Sequence, residues 1–222
     1  MSPEMLFDLL WKSLLQTLHM VAVSGLVGSL IGLPIGIFLA TSGRNELFPA
    51  PALNQAIGLV VNAARSTPFI ILVVAIIPFT RLLTGTSIGT TAAIVPLTIA
   101  TVPFFARLVE AAIREVDKGL IEAARAMGAT PMQIVFKVLL AEARPSILLA
   151  FTMTIVSLIG YSAMVGAVGG GGLGDLGIRY GYQRFMPEVM LAVVIVLIVL
   201  VQLVQSAGDA LARRFDKRNR KT

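Results

Sequence analysis

The 222-residue chain contains no cysteine, which excludes disulfide frameworks, thiolate zinc sites, iron–sulfur clusters and a cysteine nucleophile. That absence says little about compartment, because a chain embedded in a bilayer needs no covalent staples. Histidine is almost as scarce: His19 stands alone, with no second histidine or carboxylate at ligand spacing, so no metal site is expected. No Gly-Lys-Ser or Gly-Lys-Thr occurs anywhere, so the chain has no P-loop with which to hold ATP. Aspartate and glutamate fall outside the apolar runs or at their edges, whereas carriers driven by proton or sodium gradients commonly use a carboxylate within the membrane. Any energy for work would then come from a partner.

What the chain has in abundance is apolar surface. Hydrophobic residues make up 56% of it and charged ones 14%, with a mean hydropathy of +0.87. An ordinary soluble domain does not carry that composition, and an integral membrane protein does. Apolar runs at about 14–40, 57–83, 88–108, 147–168 and 187–203 each approach the ~20 residues that cross a hydrocarbon core. The first is too long for a signal-peptide core and lacks an A-x-A-like cleavage site, so it is read as a retained span. The expected fold is therefore all-α, with about five transmembrane helices in one domain. Within the second run Pro68, following Asn62, Arg65, Ser66 and Thr67, marks a break.

Sorting the basic residues sets the expected orientation. Arg44, Arg65, Arg107, the segment around 110–145 and the tail at 208–222 hold 14 of the 18 lysines and arginines if they share one side. Only Lys12, Arg81, Arg179 and Arg184 fall opposite. This predicts an outward N-terminus and a cytoplasmic C-terminus. The basic tail, with Arg213, Arg214, Lys217, Arg218, Arg220 and Lys221, reads as a topology anchor attracted to anionic headgroups, and no nucleic-acid partner is expected.

Between the third and fourth runs lies a charged, helix-patterned segment. Residues 118–127 predict a short helix with Leu120, Ala123, Ala124 and Met127 on one side, ended by Gly128 as the positive-φ stop. A second helix follows at once: Thr130 suits the N-cap, Pro131 the first helical position, and Gln133 completes a capping-box pattern. The pattern continues through Leu139 and Leu140 until Pro145 resets the chain. On pattern alone this is an amphipathic hairpin on the membrane surface or a handle for a partner.

Glu122-Ala123-Ala124, then Gly128, then Val138 and Leu140 resemble the EAA loop of the permease subunits of bacterial ABC importers, a family of binding-protein-dependent inner-membrane transport components. Val138 stands where the family has isoleucine and Ala141 where it has proline, so the distal half of the motif departs from the pattern. The stretches at 62–72 (NAARSTPFIIL), 122–140 and 160–185 (GYSAMVGAVGGGGLGDLGIRYGYQRF) look like the methionine-uptake branch of that family. The resemblance implies a homodimer of five-span subunits in the bacterial inner membrane. It further implies two cytosolic ATPase subunits, which would hold ATP and Mg, and an extracytoplasmic methionine-binding protein. It also implies that Glu122, Ala123, Ala124, Gly128, Ala129 and Thr130 couple to the ATPase, and that this chain is no enzyme and carries no cofactor of its own.

Two further stretches bear on function. The glycine run at 169–174 follows an apolar helix where a dinucleotide site would need a strand, and a single copy is no calcium-binding repeat. It reads as a flexible, tightly packed outer turn. Arg179, Tyr180, Tyr182 and Arg184 then serve either binding-protein docking or interfacial aromatic anchoring. In the fourth run Tyr161, Ser162 and Met164 offer a ring, a hydroxyl and a polarizable thioether; they line the substrate pathway or pack the core. Gly28, Gly32 and Gly36 repeat at four-residue spacing and let helices approach closely. The expected activity is methionine import by alternating access, with ATP-driven closure of the partner pushing on residues 122–137. Another amino acid or small solute as cargo, and a non-transporting scaffold that recruits a cytosolic partner, remain as alternatives.

Overall fold

With no water in the hydrocarbon to satisfy N–H and C=O groups, a spanning chain must bond its backbone within each segment, so helices are the form open to an apolar chain of this kind. The computed structural model describes residues 2–215, and among them the regular elements are all helical. Four helices are long and apolar enough to cross a membrane: α1 (Pro3–Thr41), α5 (Thr90–Arg114), α9 (Arg144–Ala167) and α11 (Pro187–Phe215). Between them lie α2 (Pro51–Ser66), α3 (Phe69–Ala75), α4 (Ile77–Thr84), α6 (Lys118–Ala126), α7 (Pro131–Gln133), α8 (Leu140–Glu142) and α10 (Gly172–Leu176). Two π-helical segments, Ile134–Leu139 and Gly177–Tyr182, complete the chain.

The run at 57–83 is not one helix. It is divided among the end of α2, α3 and α4, and the chain bends sharply at Thr67–Pro68, where proline cannot continue the hydrogen-bond ladder of α2. A fifth span exists only if the bent pair α2 and α3 counts as one. The tail expected from residue 208 is helical as far as Phe215, continuous with α11; its remaining basic residues, Lys217, Arg218, Arg220 and Lys221, lie outside the described residues.

The fold divides into two compact units. One comprises Met1–Gly28, Thr67–Thr101 and Thr154–Gln205. Its core gathers Met20, Leu97 and Leu158 with Phe69 and Val73, and a second cluster sets Leu173 and Leu176 against Val189 and Val193. The glycine run is tightly packed, as expected, and it is also anchored by hydrogen bonds. The first N–H groups of α10 lack intrahelical acceptors, and α1 supplies them: Gly172 N donates to Gln16 Oε1 (3.0 Å) and Leu173 N to Thr17 Oγ1 (2.9 Å). Gly172 holds φ +78°, a conformation open to glycine at little steric cost.

The other unit comprises Ser29–Ser66, Val102–Met153 and Ser206–Thr222. Its core centres on Val109, Ile134 and Leu139, with Phe105 and Phe151 edge to face at 6.1 Å between centroids. Here the four-residue glycine spacing of α1 has a measurable cause. A Cβ on Gly32 would stand 2.9 Å from the Val102 carbonyl oxygen, and one on Gly36 2.5 Å from that of Ala106. Backbone therefore packs on backbone, close enough that no side chain fits. Hydroxyls in the apolar helices return their protons to the preceding turn, as Thr41 does to Ile37 O (2.8 Å) and Thr152 to Leu148 O (2.9 Å).

Gly36→Ala should force backbone apart and cost roughly 1–3 kcal/mol, lowering the midpoint of thermal unfolding in detergent by several degrees. Gly160→Ala is the control: a Cβ there meets nothing within 4 Å, and the midpoint should hold or rise. Equal loss in both variants would contradict close approach as the role of Gly36.

Candidate functional site: a capped hairpin and a buried carboxylate between two arginines

The hairpin is built from strong local signals. Asp117 opens α6 as N-cap, accepting from Gly119 N at 2.6 Å. Met127 closes α6, and Gly128 follows at φ +78° with its N–H donated to Arg125 O (2.9 Å), so glycine is required there for its dihedral, since nothing crowds it. Thr130 then caps α7 in a reciprocal box: Gln133 N donates to Thr130 Oγ1 (3.4 Å) and Thr130 N to Gln133 Oε1 (2.9 Å).

The next six residues wind as a π-helix, with Leu140 N donating to Val135 O. The side chains explain why. Ile134 and Leu139 are both buried, yet residues five apart in an α-helix point about 140° away from one another. Bonding from i to i+5 brings them onto one side. The second helix of the hairpin is thus not the uninterrupted α-helix that its apolar pattern suggested.

The face of α6 also differs from the expected one. Ala124 is buried, whereas Leu120 and Met127 are exposed, Met127 at 82%. Ile121 packs beside Ala124 on the cluster of Ile113, Val116 and Ile134. Of the six residues assigned to coupling, Glu122, Ala123, Gly128 and Thr130 are exposed, Ala129 is half-buried and Ala124 faces the core. The hairpin therefore exposes Glu122, Ala123, Met127 and Thr130 while Ala124 fixes it from behind.

Behind the hairpin lies a feature that its sequence pattern did not reveal. Glu110, on α5, is 5% exposed, so it is not the edge carboxylate that its place near the end of an apolar run suggested. Arg107 and Arg114, one turn away on either side, each bind one of its oxygens, Arg114 at 2.8 Å. Arg107 Nη2 also donates to Gly58 O on α2 (2.9 Å) and Arg114 Nη2 to Leu39 O at the end of α1 (3.4 Å). Asn54 adds two further bonds, to Leu39 O and Ser42 Oγ, both at 2.9 Å. The signal available in sequence was the spacing R-x-x-E-x-x-x-R, which places all three charges on one helical stripe.

Tyr161 stacks on Phe69 with centroids 4.4 Å apart. Ser162 is 2% exposed and donates to Ile159 O (2.7 Å), so its hydroxyl is spent on the backbone and reaches no surface. Met164 is exposed. Tyr161 and Met164 are the two of the three that retain reach. In the outer segment Arg179 binds both oxygens of Asp175 (2.8 and 2.6 Å), and the Arg184 guanidinium lies 4.4 Å from the Tyr180 ring centre. Tyr182 is exposed. No group of three or more His, Cys, Asp or Glu able to hold a metal occurs among the described residues.

Residues 32–221 match the model of the binding-protein-dependent transport system inner membrane component. The chain belongs to that family. It is thus an inner-membrane component of a transport system, with several membrane-spanning helices. It is 57% identical over 211 residues to the probable D-methionine transport system permease protein MetI of Vibrio cholerae serotype O1, covering 95% of this chain and 94% of that one. It is 52% identical over 166 residues to the D-methionine transport system permease protein MetI of Escherichia coli K12, covering 75% and 76%. Among solved structures, an inward-facing conformation of the MetNI methionine ABC transporter superposes with TM-score 0.94 at 51% identity, over 98% of this chain and all of that one. A crystal structure of an amino acid ABC transporter with histidines superposes at TM-score 0.78 over 94% of each chain; at 22% identity it speaks to the fold alone.

Thr130→Val should remove one arm of the capping box and cost about 1 kcal/mol locally. Amide exchange at Gln133 and Ile134 should then quicken by roughly fivefold, with exchange in α9 unchanged. Unchanged exchange at Gln133 would show that the cap does not hold this turn.

Proposed function

We propose that this chain is the transmembrane permease subunit of an ATP-driven methionine importer. Two copies enclose a central pathway, two cytosolic ATPase subunits grip the hairpins, and an extracytoplasmic binding protein delivers methionine to the outer face. The N-terminus lies outside and the C-terminus in the cytoplasm, which sets the hairpin and most of the basic residues on the cytosolic side.

The observation that carries this reading is the hairpin. An ordered turn with two caps, an exposed row at Glu122, Ala123, Met127 and Thr130, and a buried anchor at Ala124 is more than a loop between two spans needs. It gives a partner a rigid handle, and a chain without a P-loop needs an external source of work. The methionine named for relatives up to 57% identical supports that cargo. Met164 supplies an exposed thioether suited to contact another thioether chain, beside the Tyr161 ring.

At the outer face, Tyr182 offers a free ring while Arg179 and Arg184 are already engaged by Asp175 and Tyr180. Docking of the binding protein there draws on Tyr182 first and exchanges the intramolecular partners of the two arginines for partners across the interface.

The test is uptake of labelled methionine into vesicles that hold this protein with its ATPase and binding protein. The natural chain should import methionine only with ATP. Gly128→Pro, which forbids the positive φ and removes the N–H donated to Arg125 O, should lower uptake at least tenfold with the protein still folded. Uptake without ATP would contradict the energy source, and ATP hydrolysis without methionine uptake would contradict the cargo.

A further inference from the structure

We propose that Glu110 is the positioning residue through which the hairpin is tied to the end of α1 and the middle of α2, so that a push on the hairpin moves all three together. This rests on the permease reading above. The path is continuous on the page. The buried side of the hairpin, Ala124, Ile134, Val135 and Leu139, packs with Val109, Ile113 and Val116, on the same turns of α5 that carry Glu110. Only Glu115, Val116 and Asp117 separate α5 from α6. From Glu110 the two guanidinium groups fan outward, Arg107 to the Gly58 carbonyl on α2 and Arg114 to the Leu39 carbonyl on α1.

The chemistry favours a link over a structural accident. A carboxylate 5% exposed is costly in an apolar helix unless each oxygen is engaged, and each oxygen here meets an arginine. Leu39 O lies in the last turn of α1, where carbonyls lack intrahelical donors and the helix end favours a cation. Gly58 lies inside α2, where its oxygen has a second lone pair to offer; a Cβ at that position would sit 3.3 Å from Arg107 Nη2, so the glycine keeps the approach open. Glu110 also holds the guanidinium groups in register. Arg107 Nε is buried without a partner, so the orientation of that guanidinium depends on what its two terminal nitrogens grip. With an arginine on each oxygen, Glu110 serves as a fixed counter-charge.

Two readouts on the complete transporter in vesicles test the link. The chain has no native cysteine, so with cysteine-free partners and the labelled chain diluted into unlabelled copies, spin labels at Asn45→Cys, in the loop after α1, and Ala126→Cys, on the hairpin, report the one distance within a chain. With Glu110 in place that distance should be narrow and unchanged by ATP. Arg107→Met with Glu110→Met removes the pair without leaving an unpaired buried charge and should melt close to the natural protein. In that double variant the distance should broaden or shift with ATP, and methionine imported per ATP hydrolysed should fall at least tenfold. Glu110→Asp, which keeps the charge, should recover part of both.

A double variant with natural distance and natural stoichiometry would overturn the proposal and leave the triplet a packing device. If methionine is not the cargo, the natural chain will hydrolyse ATP without uptake, while the distance readout still decides the link.

Discussion

Glu110 is the charge around which one of the two compact units is organised. A lone arginine on an apolar helix stays costly until something neutralises and hydrogen-bonds it. Glu110 does this for two arginines at once, and each arginine also donates to a backbone oxygen of another element. The end of α1 and the middle of α2 are thereby held to α5. The glycine contacts of α1 serve the same end by a different force: at Gly32 and Gly36 the backbones approach until only hydrogen fits, and close packing stands in for the hydrophobic effect that lipid surroundings do not supply.

The hairpin depends on that foundation. Its caps at Asp117 and Thr130 and its stop at Gly128 are local devices that shape it whatever lies beneath. Its placement comes from Ala124, Ile134 and Leu139 packing on the turns of α5 that hold the triplet. The π-helical turn is where the two demands meet. The capping box fixes where the second helix starts, the core fixes which side chains must be buried, and an α-helix from Thr130 cannot meet both.

Features governed by neighbours in sequence were legible before the structure. Thr130, Pro131 and Gln133 spell a capping box within four residues, and Gly128 marks a positive φ that few other residues would tolerate. The all-helical class followed from composition, and the family from the residues at 122–140 and 160–185. Features governed by distant neighbours were not legible. The buried face of α6 runs through Ile121 and Ala124, and the apolar pattern alone pointed instead to Leu120 and Met127, because hydropathy does not say which residues a helix packs against. Ser162 reads from the sequence as a pathway group, whereas in the fold it is buried and donates its hydroxyl to Ile159 O. Glu110 looked like an edge carboxylate because the arginines that bury it act through Gly58 and Leu39, which are 49 and 75 positions from their guanidinium partners.

We infer that a cytosolic ATPase grips the exposed row of this hairpin. The direct measurement is the rate at which a single cysteine, Ala123→Cys, reacts with a bulky maleimide in the purified protein, alone and with the ATPase bound. Labelling should be at least tenfold slower in the complex, while Tyr182→Cys on the outer segment should label equally in both. Equal labelling of Ala123→Cys with and without a bound ATPase would contradict that inference.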